Sequence, residues 1–228
     1  METEELKGAG EVNMARRSFL RYAGAGAAGF GLLAAASCKK SSNTIAANAS
    51  VDVGSGDIGV LNYAYALEQL EAAFYIQVVK TPYTGMTATE LSAFTDIRDH
   101  EVLHREFLKA ALGANAIVAL SVNFSSIDFT SKTSVLAAAK GFEDTGVSAY
   151  NGVAYILTNP TYLTLAGKIV SVEARHAAFI RDMVSYNSFA DTTVVDSTNA
   201  LDLTRKPSQV LPIVAAYLTT SVTANNLP

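Results

Sequence analysis

The sequence predicts an all-α fold: a four-helix bundle with a long crossover between its second and third helices, followed by a short C-terminal helix. Three observations carry that expectation. Four segments of roughly 24 to 28 residues hold helical periodicity between residues 57 and 186. The links between them run short, long, short. Each of the four also carries an acid near the middle of an otherwise apolar stripe.

The first helix spans Asp57 to about Lys80, "DIGVLNYAYALEQLEAAFYIQVVK", and "TPYTG" breaks its pattern. The second begins at Thr87 or Thr89, either a suitable N-cap, and ends at Leu112 with Gly113 as the stop. Residues 114–130, "ANAIVALSVNFSSIDFT", read as strand-like or irregular. A third helix follows from about Ser131 to Leu157, closed by "TNP", and a fourth from about Thr161 to Tyr186. Near the C-terminus "KPSQVLPIVAAYLTTS" reads as a short fifth helix with Pro207 in its first turn. Short links make antiparallel neighbours. A middle link of about 17 residues travels the length of the bundle and leaves the second and third helices parallel. That is the ferritin-like arrangement rather than a simple up-down-up-down bundle.

Of the 228 residues 50% are hydrophobic and 17% charged, below the usual quarter of charged residues. The net charge of −4, with no basic run outside the N-terminus, argues against a nucleic-acid partner. Cys38 is the one cysteine, so no intrachain disulfide forms. No nucleophile elbow or phosphate loop is present, and "GAGAAGFG" has no strand before it.

The N-terminus reads as an address. Arg16 and Arg17 form a basic start, residues 23–37 an apolar core, and a small-residue run precedes Cys38. The core is short and rich in Gly and Ala for a membrane span. Paired arginines followed by "SFLRY" resemble a twin-arginine export signal. "AASC" resembles a lipoprotein cleavage box that makes Cys38 the lipidated first residue, with Ala35 where a larger aliphatic is usual. A plain secretory signal or an uncleaved anchor is the alternative, and Met14 is an alternative start. The expected organisation is an export signal over 1–38, a flexible tether over 39–54 and a helical domain over 55–228. The expected location is the periplasm or cell envelope, with lipid anchorage to a membrane.

Seven-residue spacing exposes the chemistry. The first helix gives Leu61, Ala64, Glu68, Glu71, Tyr75 and Val78; the third gives Leu136, Ala139, Glu143, Gly146, Tyr150 and Val153. The second gives Phe94, Ile97, Glu101, His104, Leu108 and Ala111; the fourth gives Ala166, Ile169, Glu173, His176, Ile180 and Met183. The Glu-x-x-His pairs follow Glu68 by 33 residues and Glu143 by 30, so the two halves repeat. A buried carboxylate without compensation costs several kcal/mol, and four around one core need neutralising. Four glutamates carry −4 and two divalent cations carry +4. Glu-x-x-His places an oxygen and a nitrogen donor one turn apart on one face. Such oxygen-rich sets suit iron or manganese better than zinc.

"LEQLEAAFY", "IRDHEVLHREFL", "FEDTGVSAY" and "VEARHAAFIR" resemble the ferritin-like superfamily, and within it the exported ferritin-like domain family that includes desiccation-related proteins. The resemblance covers residues 57 to about 219. It implies that Glu68, Glu101, His104, Glu143, Glu173 and His176 bind two metal ions, iron or manganese, with Tyr75 and Tyr150 beside the site. It carries no activity over, and catalytic residues stay unassigned. The expected function is oxidation of ferrous iron or removal of peroxide at a di-metal site. The alternative is a non-catalytic envelope or stress protein whose bundle is stapled by metal or keeps a vestigial site. Glu71 has no partner in the third helix and reads as an extra or supporting carboxylate. His100 has no counterpart in the fourth helix and reads as exposed or supporting. Arg98, Arg105, Glu106, Arg175 and Arg181 are expected on the solvated face.

Overall fold

The computed structural model describes residues 50–228. The expected export signal, the lipidation position Cys38 and the tether up to residue 49 lie outside the described residues. The elements run β1 (Ser50–Asp52), α1 (Gly56–Lys80), α2 (Ala88–Leu112), α3 (Lys132–Val153), α4 (Pro160–Val184), α5 (Pro207–Val214) and β2 (Ser221–Thr223). The all-α expectation holds, and several helix boundaries have a local chemical cause.

Thr87, rather than Thr89, caps α2: its hydroxyl accepts from the Glu90 N–H while the Glu90 carboxylate accepts from the Thr87 N–H. Gly113 ends that helix with a positive φ of 55°. Ser131 caps α3. The α-helical ladder of α3 stops at Val153, and residues 154–156 continue as one 3-10 turn. "TNP" begins the fourth helix rather than closing the third. Asn159 accepts from the Thr161 N–H, and Pro160 occupies the first helical position, where a missing N–H costs nothing.

Two contacts establish the helix directions. Lys132 Nζ lies 2.6 Å from Glu90 Oε1, joining the starts of α2 and α3 at one end. Asp57 accepts from the Thr158 and Asn159 N–H groups at 2.7 and 3.0 Å, joining the starts of α1 and α4 at the other. The second and third helices are therefore parallel, as the long crossover requires.

The crossover runs along α1 and is held by two buried amides. Asn62 donates to the Asn115 carbonyl and accepts from the Ile117 N–H, while Gln69 accepts from the Leu120 N–H at 2.8 Å. With that cover, 17 of the 25 residues of α1 are buried, Asn62 and Gln69 among them. Phe124 and Phe129 of the crossover pack on Phe74, and Phe142 packs on both Phe74 and Tyr217.

β1 pairs in parallel with β2, Val51 opposite Val222, and Val53 is 1% exposed. The expected tether therefore ends earlier than residue 54. Residues 50–54 belong to the fold because their backbone is paired with the C-terminal strand.

Arg181 is a second correction. It is 1% exposed, bonded to Asp144 at 2.7 Å and to Asp191, with its Nε donating to the Ser188 carbonyl. Two carboxylates neutralise the guanidinium, which lets α4 turn a charge inward and anchor the segment after it. That segment returns across α3, where Arg205 N–H donates to the Ser148 carbonyl. A Cβ on Gly152 would sit 1.9 Å from the Arg205 carbonyl oxygen, so only glycine fits beneath this strap.

Gly152→Ala is expected to destabilise the fold by about 1–3 kcal/mol, because the backbone clash outweighs alanine's ~1 kcal/mol helical advantage. Gly141→Ala and Gly167→Ala meet nothing within 4 Å. They are expected to stabilise by up to ~1 kcal/mol. Urea unfolding of the three variants checks the contrast.

Candidate metal centre

The four bundle helices bring one layer of polar side chains to the axis. Glu68 comes from α1, Glu101 and His104 from α2, Glu143 from α3, and Glu173 and His176 from α4. Apolar turns frame that layer: Phe94, Tyr75 and Ile180 on one side are fully buried, and Leu61, Leu108 and Ile169 on the other nearly so. All four glutamates are 0% exposed, His176 is 5% exposed, and the His104 side chain 14%. The polar seam read in the sequence is the bundle core.

The side chains meet in two overlapping groups. Donor atoms of Glu68, Glu101, His104 and Glu173 lie within 4.8 Å of one another, as do those of Glu101, Glu143, Glu173 and His176. His104 Nδ1 lies 2.8 Å from Glu173 Oε1, 3.5 Å from Glu68 Oε2 and 3.9 Å from Glu101 Oε2. His176 Nδ1 lies 2.8 Å from Glu101 Oε1, 3.7 Å from Glu143 Oε2 and 3.9 Å from Glu173 Oε2. Glu101 and Glu173 each turn one oxygen to either group.

Eight buried atoms of these six residues have no hydrogen-bond partner: Oε2 of Glu68 and Glu143, both oxygens of Glu101 and Glu173, and Nδ1 of both histidines. They divide four and four between the two groups with none left over. An unpaired buried acceptor costs roughly 1–3 kcal/mol, more when charged, so the carboxylate oxygens crowded into this layer call for positive charge between them. The donor set of carboxylate oxygens with one imidazole nitrogen per group fits two hard or borderline divalent cations.

Electrostatics point the same way. Burial, followed by the charge of Glu173, pushes the Glu101 and Glu143 carboxyls well above the usual range. Burial and Glu68 carry Glu173 up to about 7. Burial pulls His104 down, but the carboxylates of Glu173 and Glu68 outweigh it and carry the imidazole up to about 10. Burial and the neighbouring His100 and His104 pull His176 down to about 3. The layer thus holds protons where it lacks cations.

The two remaining carboxylate oxygens are satisfied crosswise. Tyr75 of α1 donates to Glu143 Oε1 of α3 at 2.5 Å, and Tyr150 of α3 donates to Glu68 Oε1 of α1 at 2.6 Å. Burial and the adjacent carboxylates push both phenols up, which keeps them protonated as donors. Each tyrosine therefore orients the terminal glutamate of the opposite helix.

The remaining polar neighbours show more than spacing could. His100 Nδ1 lies 2.9 Å from His176 Nε2, with the two rings stacked at 9°. It engages the far nitrogen of His176 and leaves Nδ1 toward the carboxylates. Glu71 is 3% exposed, and its Oε1 lies 2.9 Å from where a Cβ on Gly146 would sit. Gly146 is the vacancy in α3 that receives the Glu71 side chain of α1. The sequence signal for this pairing was the missing side chain at the matching heptad position.

A family model for the ferritin-like domain matches residues 56–186, a span that takes in α1 to α4 and all six donor residues. No curated protein matches the chain.

Glu173 moves from an ordinary 4.5 to about 7 in the fold. A raised carboxyl subtracts stability as pH climbs through that interval, since the folded state resists losing the proton. The metal-free protein is expected to lose stability from pH 4.5 to 7, and Glu173→Gln to lessen that loss, with the raised carboxyls of Glu101 and Glu143 supplying the rest. Thermal melts in chelator across this range measure both curves.

Proposed function

The chain belongs to the ferritin-like domain family, and on that premise we propose that it is an exported, membrane-tethered protein that holds two iron or manganese ions and oxidises ferrous iron or removes peroxide. The observation that carries the reading is the division of eight unpaired buried donor atoms into two sets of four. One ion would be held by Glu68, Glu101, His104 and Glu173, the other by Glu101, Glu143, Glu173 and His176. When bound, a pair of such ions supplies two one-electron changes together, the number needed to reduce one peroxide to two waters.

The protein's own groups supply the rest. Glu101 and Glu173 face both positions and keep the two charges close. Tyr75 and Tyr150 hold Glu143 and Glu68 in one orientation and keep a proton at each phenol oxygen. His100 fixes the ring of His176. Phe94, Ile180 and Leu108 exclude bulk water from the layer, which strengthens every electrostatic contact inside it.

Export rests on the twin-arginine-like segment and tethering on Cys38. A twin-arginine route carries folded chains, which suits a protein loaded with metal before it leaves the cytoplasm. Among the described residues no helix is long and apolar enough to cross a membrane; in this reading attachment comes from lipid on Cys38. Cys38→Ser is expected to move the protein from the membrane to the soluble fraction, as fractionation and labelled fatty acid would report.

A non-catalytic reading draws on the same burial. Cations among four fully buried carboxylates stabilise the fold whether or not they turn over. Native protein is expected to carry about two metal ions per chain, to melt higher than the chelated form, and to consume peroxide or oxidise ferrous iron faster than free metal. Glu101→Gln is expected to abolish both loading and turnover. Full loading with turnover no faster than free metal would reduce the site to a staple.

A further inference from the structure

The layer of donors has a hollow on one side. An apolar cavity of about 20 Å³ lies among all four bundle helices, walled by Ala64, Leu108, Tyr150, Ala166 and Ile169. Three of these positions stand one helical turn from a donor: Ala64 four residues before Glu68, Leu108 four after His104, Ile169 four before Glu173. At 1.5 Å per residue that is an axial step of about 6 Å. The fourth wall is Tyr150, whose hydroxyl is already engaged by Glu68. At the outer end Phe107, Tyr162 and Leu165 are half-buried, so the hollow lies between the bundle end and the turn that adjoins the site.

Resting on the di-metal reading above, we propose that this cavity binds dioxygen and delivers it to the site, while polar oxidants enter elsewhere. Its size admits one small molecule, since a single water-sized body needs roughly 10–15 Å³. Its lining decides which. Cavities walled by Ala, Leu and Ile stay dry. A peroxide entering would surrender its hydrogen bonds to water without replacement, whereas dioxygen has none to lose. The small side chains matter for the same reason: Ala64 and Ala166 occupy stripe positions where larger aliphatics would fill the hollow. Polar reactants have a separate approach beside His104, whose side chain is 14% exposed.

Xenon serves as the probe for an apolar site of this size. Crystals of the metal-free protein under xenon pressure are expected to show one xenon between Ala64 and Ile169, and Ala166→Leu to remove it. In the metal-loaded protein Ala166→Leu is expected to slow dioxygen-driven oxidation of ferrous iron on the order of tenfold and to leave the peroxide-driven rate unchanged. Ala64→Val, a smaller intrusion, is expected to give an intermediate rate. Ordered water in the cavity, or a dioxygen rate insensitive to both variants, would overturn the proposal. Equal slowing with both oxidants would also overturn it, because the variant would then be disturbing the site itself. Xenon in the cavity of a protein that consumes no dioxygen would overturn the supply role together with the functional reading. A water-filled cavity in a protein that does consume it would overturn the cavity's role alone.

Discussion

Four glutamates, each fully buried, converge on one layer of the bundle, with apolar turns on either side of it. Their mutual repulsion and loss of solvation organise everything around them. Without cations the layer relieves that strain with protons: three of the carboxyls are raised, and His104 keeps its own proton up to about pH 10. The eight atoms left unpaired, four toward each of two positions, mark where positive charge belongs. A core of this kind needs positive charge within it, so any cation bound there would also stabilise the fold.

The supporting structure is arranged to hold that layer still. Each tyrosine reaches from one helix of an antiparallel pair to the glutamate of the other, so α1 and α3 are cross-linked at the site by two short hydrogen bonds. The crossover covers α1 and is itself held by Asn62 and Gln69, which keeps water from the outer face of the helix carrying Glu68. At the far side Arg181, neutralised by Asp144 and Asp191, anchors the segment that returns over α3. The two halves nevertheless differ where Glu71 fills the space above Gly146 and where His100 stacks on His176. The site is a near-repeat with two deliberate departures.

Much of the fold was legible from spacing. The four helices, the stop at Gly113, the start of the third helix near Ser131 and the crossover all follow from periodicity and local stop signals. Errors fell where a residue's role depends on a distant partner. Pro160 reads as a breaker until Asn159 is seen capping the helix it begins. Residues 50–54 read as tether because their partner strand lies about 170 residues downstream. Arg181 reads as a surface charge because nothing in its own helix announces Asp191 or the strap beyond it.

By itself the sequence determined which residues share a face: a heptad places Glu68, Glu101, His104, Glu143, Glu173 and His176 on apolar stripes, and stripes must be buried. It also showed the repeat of charge, two acids on the apolar stripes of each half. Only the tertiary structure decided how the oxygens are shared, with Glu101 and Glu173 turned to both positions and Glu68 and Glu143 held by tyrosines from opposite helices. The reason is physical. Facing is a property of one helix and its period, while sharing depends on the separation and offset of four helices, which packing across the whole bundle sets.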